Sequence, residues 1–561
     1  MAARVTQPAV AARPARRLPR GARLRCGGDR TLVLALAGAT ALAFVLRVRA
    51  LGESFWYDEA YSAYIAAQPA LRALELIPTT ESTPPLYYAL AWLWTRVFGA
   101  GEVALRSLSL ATGLATVLVL SLLGRELAPA GRERTAAVAC ALVAASSPLL
   151  AWYAGEARAY ALLALLCALA ALFFVRFLRE PNGRWAWRYG ATATAALATH
   201  YFALFVVAPQ IALLLVRYRE RSALPAAALP VAGALALAPL AVVQLDSRRS
   251  DWIGTLPLAG RTWHAAVHFA AGFRPPPLVA WPLVALCWGG VALVAIRPPR
   301  GSDGRAPILV RLALAGLAAA LLLAFCGLDR VLTRNLLGAW PVLAAAVTAA
   351  AVAAGERWRR LVAAVLVAWC AASALLADRI DSAPSLRRPA WRAAASIVAS
   401  GERPRLVLVP RYPHLLPLRV YLPHLRRAPA ARVSVREIDL VAPRGSGPGC
   451  WWGALCNLPR APLPHRPPPG FVARLRQRVS GLVVWRLVPL AGEATVAPRR
   501  VARTLAHRGP TGLFWERNVG RARPGAARSR PQPARDRGAA AVRVRVEARP
   551  GSRRRADRMR A

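Results

Sequence analysis

Long apolar runs separated by short, arginine-marked turns dominate the first two-thirds of the chain. Runs close to the ~17–25 residues that cross a ~30 Å hydrocarbon core fall at 31–46, 103–123, 135–154, 157–175, 186–200, 201–216, 222–245, 276–296, 306–326, 335–354 and 361–377. They predict about eleven transmembrane helices. The stretch 186–216 is divided in two because, as one helix, it would extend roughly 46 Å. Pro84 to Phe98 (PPLYYALAWLWTRVF) opens with two prolines and contains Arg96; this pattern predicts a helix lying at the interface rather than crossing it. With that segment not spanning, the cytoplasmic stretches hold 25 Arg and the opposite short loops 12, in the direction of the positive-inside rule. The same assignment gathers four places on one extracytoplasmic face: the loop 50–102, the turn around Glu156, the turn at His200–Tyr201, and the loop carrying Arg330 and Arg334.

Beyond about 378 the pattern changes. Short patches such as Arg405–Val409 (RLVLV) and Val433–Leu440 alternate with a helical stretch at Trp391–Ser400. They predict a small extracytoplasmic α/β domain over 378–490. Cys450 and Cys456 lie within it, on the side of the membrane where disulfides persist, and a local bridge between them is expected. From 491 to 561 there are 19 Arg against 5 acids and little periodicity, which predicts a disordered basic tail. Residues 1–30, with eight Arg, form a cytoplasmic N-terminus ahead of a membrane domain at 31–377. The expected fold is thus an all-α polytopic membrane protein with a small outer α/β domain.

Composition agrees. Of 561 residues 56% are hydrophobic and 18% charged, with mean hydropathy +0.36, which excludes an ordinary soluble globule. All 75 basic residues are Arg, and the net charge is +48. Much of that charge sits in the N-terminus, the short loops and the tail, the layout of topology signals. Membrane lipids are therefore the expected partners, and no nucleic acid is. The eight Cys show no CxxC or Cys/His spacing, so no zinc module is predicted.

The polar residues of the outer face carry the chemistry. Phe55-Trp56-Tyr57-Asp58-Glu59-Ala60-Tyr61-Ser62 places two adjacent carboxylates among aromatics at a membrane surface, a costly arrangement unless it is used or well solvated. An aromatic belt with solvated acids accounts for the same residues equally well. Between the third and fourth runs, Glu156 and Arg158 stand in a turn with almost no loop, followed by Tyr160. Alone they would suit a salt bridge stapling that turn. His200 and Tyr201 at the next outward turn, and Arg334 with Arg330, are weaker candidates; an Arg pair of this kind can hold a phosphate by bidentate bonds.

Taken together and in order, FWYDEAYS, STPPLYY, VALRSLS, YAGEARAY and THYFALF resemble bacterial membrane glycosyltransferases of the GT-C superfamily. The nearest group is that of protein mannosyltransferases and aminoarabinose transferases. TRNLLGAWP and SLRRPAWRAAA resemble actinobacterial members usually labelled mannosyltransferases. The likeness spans about 31–490. It implies transfer of a hexose, mannose by the family label, from a polyprenyl-phosphate carrier to an acceptor hydroxyl of a protein, lipid or glycan outside the cytoplasm. It also implies Asp58 as the catalytic residue with Glu59 as the acid beside it. Members often carry His ahead of PPLYY, where this chain has Thr83, so a role resting on that His does not carry over.

The implied chemistry needs a base for the acceptor proton and positive charge for the leaving phosphate, from Arg or a divalent cation; the metal requirement stays open. A single base opposite the leaving group implies inversion. Glu156, Arg158 and Tyr160 would shape the sugar or phosphate pocket, with His200, Tyr201 and Arg334 near it. Trp56, Tyr57 and Tyr61 would stack on the sugar or line the carrier's path. Two rivals predict otherwise. A flippase of lipid-linked sugars would place polar groups near the midplane, with repeats. A non-catalytic scaffold would depend on the basic tail rather than on Asp58.

Overall fold

The computed structural model describes residues 26–218, 223–297, 304–383, 386, 388–410, 416–443, 467–505 and 511–517. Each predicted apolar run is occupied by helix: α1 Cys26–Val48, α5 Glu102–Leu127, α6 Glu133–Ser146 with α7 Pro148–Ala154, α8 Tyr160–Arg179, α9 Gly183–Thr199, α10 Leu204–Arg217, α11 Leu224–Asp246, α13 Pro277–Ile296, α14 Arg305–Phe325, α15 Thr333–Leu336 with α16 Ala339–Val352, and α17 Arg359–Ser382. The first outer loop holds three short helices, α2 Tyr57–Ala66, α3 Ala70–Thr80 and α4 Leu86–Phe98, and α12 (Leu258–Ala271) lies between α11 and α13. At 13 residues, α4 reaches only about 20 Å, too short to cross.

Seven of these helices are long and apolar enough to span a bilayer. The count becomes eight if α6 and α7 form one span, bent by 61° where Pro148 follows the capping Ser147. Tyr201–Arg217 and Ala339–Val352 are apolar but shorter. The expectation of eleven is therefore met as helices, not as eleven full-length spans. The run 186–216 is indeed two helices, broken at His200.

The bundle sorts its helices by burial. In α5 and α8 the apolar stretch is 61% and 67% buried by other helices, whereas in α11 and α17 it is 17%. The inner helices supply a core that includes Leu120, Leu163, Phe174, Tyr189 and Ala345. The outer ones present Leu235, Leu278 and Val367 to their surroundings, a surface too apolar for water and suited to lipid. This is a polytopic membrane protein. Helices in such a bundle approach closely through small residues. Gly316 of α14 lies against the backbone carbonyl of Phe205 in α10, where any β-carbon would overlap it.

After α17, helix α18 (Trp391–Ala399) leads into a six-stranded sheet in the order β2-β8-β1-β4-β6-β5. Its strands are β1 Arg405–Pro410, β2 Arg426–Arg427, β4 Glu437–Pro443, β5 Phe471–Val479, β6 Leu482–Pro489 and β8 Thr511–Glu516. Helix α19 (Leu416–Tyr421) precedes β2; β3 (Val433–Val435) pairs separately with β7 (Ala494–Val496), and α20 spans Pro498–Leu505. β1 and β4 run parallel, and the other pairs of the large sheet are antiparallel. Alternation sends Val407 and Val409 to one face with Trp391 and Phe514, and Leu406 and Leu408 to the other with Trp485.

One boundary is corrected. β7, α20 and β8 fall in the segment expected to be a disordered tail, yet β8 lies inside the sheet along the whole of β1. Its six residues are too short to show a period among Arg and Pro, and its partner lies about a hundred positions earlier. The expected Cys450–Cys456 bridge and residues 518–561 fall outside the described residues.

Gly316→Ala should force α10 from α14. Overpacking of this kind costs about 1–3 kcal/mol, so the melting temperature in detergent should fall by roughly 3 °C or more. An unchanged melt would show that the two helices can part freely.

Candidate active site

Helix α2 starts at Tyr57 because Trp56 is extended there and its N–H is taken by Glu59 Oε2 at 3.2 Å. Both acids stand in the first turn, where the helix dipole favours negative charge. Successive side chains on a helix diverge by about 100°, so Asp58 and Glu59 face different surroundings. Glu59 is wholly buried; the Asp58 side chain keeps 24% of its exposure.

Glu59 is saturated. Arg106 of α5 donates Nε to Oε1 at 2.8 Å and Nη2 to Oε2 at 2.5 Å, and the Ala157 N–H donates to Oε1 at 2.8 Å. Burial alone would raise this carboxyl, but Arg106 and the nearby Arg388 outweigh it and hold it below its ordinary value. Arg106 also donates to the carbonyls of Leu51 and Ser54, at 2.9 Å each, and of Glu53. One guanidinium thus ties the first outer loop, the start of α2 and the inner bundle together. Both Glu59 oxygens are thus occupied by donors.

Asp58 points the other way. Arg334 of α15 donates Nη1 to Asp58 Oδ2 at 3.2 Å and lies over the Trp252 ring at 5.8 Å. Arg158 donates to the backbone carbonyl of Asp58 at 3.3 Å and to Ser62 Oγ at 3.3 Å. The main charge partner of Arg158 is Glu81, held through both carboxylate oxygens at 3.1 and 3.0 Å. Burial pushes Glu81 up, against the opposing effect of Arg158.

Glu156 is buried in the turn between α7 and α8, with Arg388 Nη2 3.7 Å away. Desolvation dominates over that guanidinium and raises the Glu156 carboxyl to about 7. Arg388 enters from the start of the outer domain. It pairs with Glu53 at 3.3 Å, lies 3.9 Å from Glu59 and stacks over Trp152 at 5.4 Å. Among the described residues, no group of three or more His, Cys, Asp or Glu is arranged to hold a metal ion.

Residues 82–245 match the family model for dolichyl-phosphate-mannose-protein mannosyltransferase. This chain resembles the GT-C membrane glycosyltransferases. Solved structures similar to it include ArnT from Cupriavidus metallidurans bound to undecaprenyl phosphate (16% identity, 82% of this chain and 98% of that one, TM-score 0.46). The apo form of the same protein matches at 14% identity over the same shares, with TM-score 0.49. Arabinosyltransferase EmbB from Mycobacterium smegmatis matches at 18%, covering 61% of this chain and 32% of that one, with TM-score 0.39. No curated protein matches the chain.

In the described structure the separate turns converge. Asp58, Arg158 and Arg334 are linked by hydrogen bonds, and Glu59 reaches the backbone beside Glu156. Tyr160 packs against Tyr153 and His200, with ring centres 5.0 and 5.8 Å apart; His200 Nδ1 accepts the Phe202 N–H at 3.3 Å. Tyr201 instead donates to Gln244 at 2.8 Å. Trp56 is buried, Tyr57 packs on the outer-domain core, and Arg330 pairs with Asp251 at 2.6 Å. Three charged residues escaped the sequence reading as site members: Glu81, Arg106 and Arg388. Arg106, inside an apolar run, carried the clearest signal, because an arginine there needs a buried partner.

Arg106→Ala would take from buried Glu59 its main partner, leaving only Arg388 at 3.9 Å and the N–H groups of Trp56 and Ala157; breaking a buried pair costs about 3–5 kcal/mol. Arg106→Lys should not restore stability, since a lysine lacks the fork that meets both the carboxylate and the carbonyls. Folded yield and melting temperature measure both. Glu156 offers a pH test. Its raised value favours the protonated form in the folded state, so its stabilisation is complete below about 4.3, the unfolded value, and is lost as pH rises through about 7. Glu156→Gln should flatten that part of the stability profile and exceed wild type above pH 7. An identical slope in both proteins would show that Glu156 does not titrate in this range.

Proposed function

We propose that this protein transfers a hexose, mannose-like, from a polyprenyl-phosphate carrier to an acceptor hydroxyl on the extracytoplasmic side of the cell membrane, with inversion. In this reading all eleven apolar helical runs cross the bilayer, the N-terminus is cytoplasmic and the outer domain lies outside. The arginine bias between loops supports that orientation.

One observation carries the reading. Of the four carboxylates Asp58, Glu59, Glu81 and Glu156, only Asp58 keeps an accessible side chain, and its partner Arg334 is a cation that a phosphate could equally engage. The name of the family matched over 82–245 specifies a lipid-phosphate mannose donor, which supports the donor class.

In the proposed reaction the donor phosphate draws Arg334 from Asp58, since guanidinium binds phosphate and carboxylate alike. The freed carboxylate takes the proton of the acceptor hydroxyl as its oxygen attacks the anomeric carbon. The bond to the phosphate oxygen breaks on the opposite face, and polyprenyl phosphate leaves with the electron pair. The phosphate is already a fair leaving group and needs no acid, so a single base suffices.

The test feeds membranes a panel of radiolabelled polyprenyl-phosphate sugars. Wild type should transfer label from one of them, and Asp58→Asn should be slower by about 10²–10⁴-fold. Equal transfer by the two proteins would refute Asp58 as the base.

A further inference from the structure

The outer domain carries a polar cavity. A cleft of about 630 Å³ is lined by Arg419 of α19, Arg426 and Arg427 of β2, and Arg499 of α20, with Phe514 of β8 among its apolar contacts. Tyr61 of α2 also lines it. The volume lies within the roughly 300–1,000 Å³ usual for ligand sites.

Two features point to a ligand. First, its charge is uncompensated. No acid lines it, and none of its four arginines has a carboxylate partner among the described residues. Elsewhere in the same domain the buried arginines are paired, Arg405 with Glu516 at 2.6 Å and Arg486 with Asp439 at 2.9 Å, whereas the four around the cleft are exposed to an incoming anion. Four like charges around one concavity focus a positive potential that concentrates anions. Second, the cleft adjoins the reaction centre. Tyr61 stands three residues after Asp58 on α2, and such positions are neighbours on a helix, about 5–6 Å apart at their β-carbons.

No spanning helix contributes to the lining. A ligand here is therefore held from the aqueous side, unlike a donor whose prenyl tail must stay in the bilayer. We infer that this cleft binds the acceptor, an acidic saccharide chain whose carboxylate or phosphate groups engage the four arginines while a hydroxyl passes Tyr61 to reach Asp58. The role as acceptor rests on the proposed function; the binding of an acidic chain does not.

The experiment measures binding to the full-length protein in nanodiscs, without donor. Hexagalacturonate and inorganic tripolyphosphate serve as anionic probes, and cellohexaose as the neutral one. At least one anionic probe should bind, more weakly as salt is raised, and cellohexaose should not. The double variant Arg426→Gln/Arg427→Gln should weaken that binding by at least about tenfold. Arg499→Gln alone should weaken it measurably, should the double variant fold poorly. Asp58→Asn should bind the probe as wild type does, so this result and the transfer assay can fail independently. The inference is overturned if neither anionic probe binds, if cellohexaose binds equally well, if the folded arginine variants keep wild-type affinity, or if Asp58→Asn abolishes binding. In those cases the arginines would only guard the exposed edge strand β2 against pairing.

Discussion

A guanidinium with no exposure inside an apolar helix costs several kcal/mol unless it is paired and hydrogen-bonded, and that requirement organises the outer face of this protein. Arg106 meets it with Glu59 and with carbonyls of the first outer loop. Because those partners lie on different segments, satisfying one charge fixes the path of the loop, the start of α2 and the turn that presents Ala157. Asp58 is placed as a by-product. Its neighbour is locked inward, so the helix turn sends Asp58 outward to Arg334.

The outer domain closes this arrangement from above. Arg388 sits buried among Glu53, Glu59 and Glu156. Tyr421 accepts the Phe55 N–H at 2.7 Å and donates to Glu102 at 2.8 Å. Arg392 donates to the Gly52 carbonyl at 2.6 Å. The loop bearing the two acids is therefore held between two bodies, the helical bundle and the sheet. That dual restraint is the kind of rigidity a reaction centre needs, because misplacement by about an ångström can cost a hundredfold in rate.

Much of the helical framework was legible in the sequence, because a bilayer demands long apolar runs and little else imitates them. The convergence of Asp58, Arg158 and Arg334 was legible too, through loop parity and arginine bias. What escaped were pairings between distant segments. Glu81 looks like an ordinary loop charge until the 77 residues between it and Arg158 are closed. Arg388 belongs by sequence to the outer domain, yet its partners are in the first loop and the Glu156 turn. β8 has too few residues for a period, and β1, the partner that gives it meaning, lies about a hundred residues earlier. Periodicity reports what a segment buries; it does not report against what.

The place of β8 bears on how the protein is made. Strands emerge from the ribosome in chain order, yet the last of the described strands becomes second in the sheet, between β2 and β1. Until residue 516 has been made, β1 has only one of its two neighbours, and Arg405 lacks the Glu516 carboxylate that takes its Nε–H. Every described membrane helix precedes β8 in the chain, so the sheet is completed only after all of them have been made. A chain stopped shortly before residue 511 would keep all the described helices and still lack a finished outer sheet.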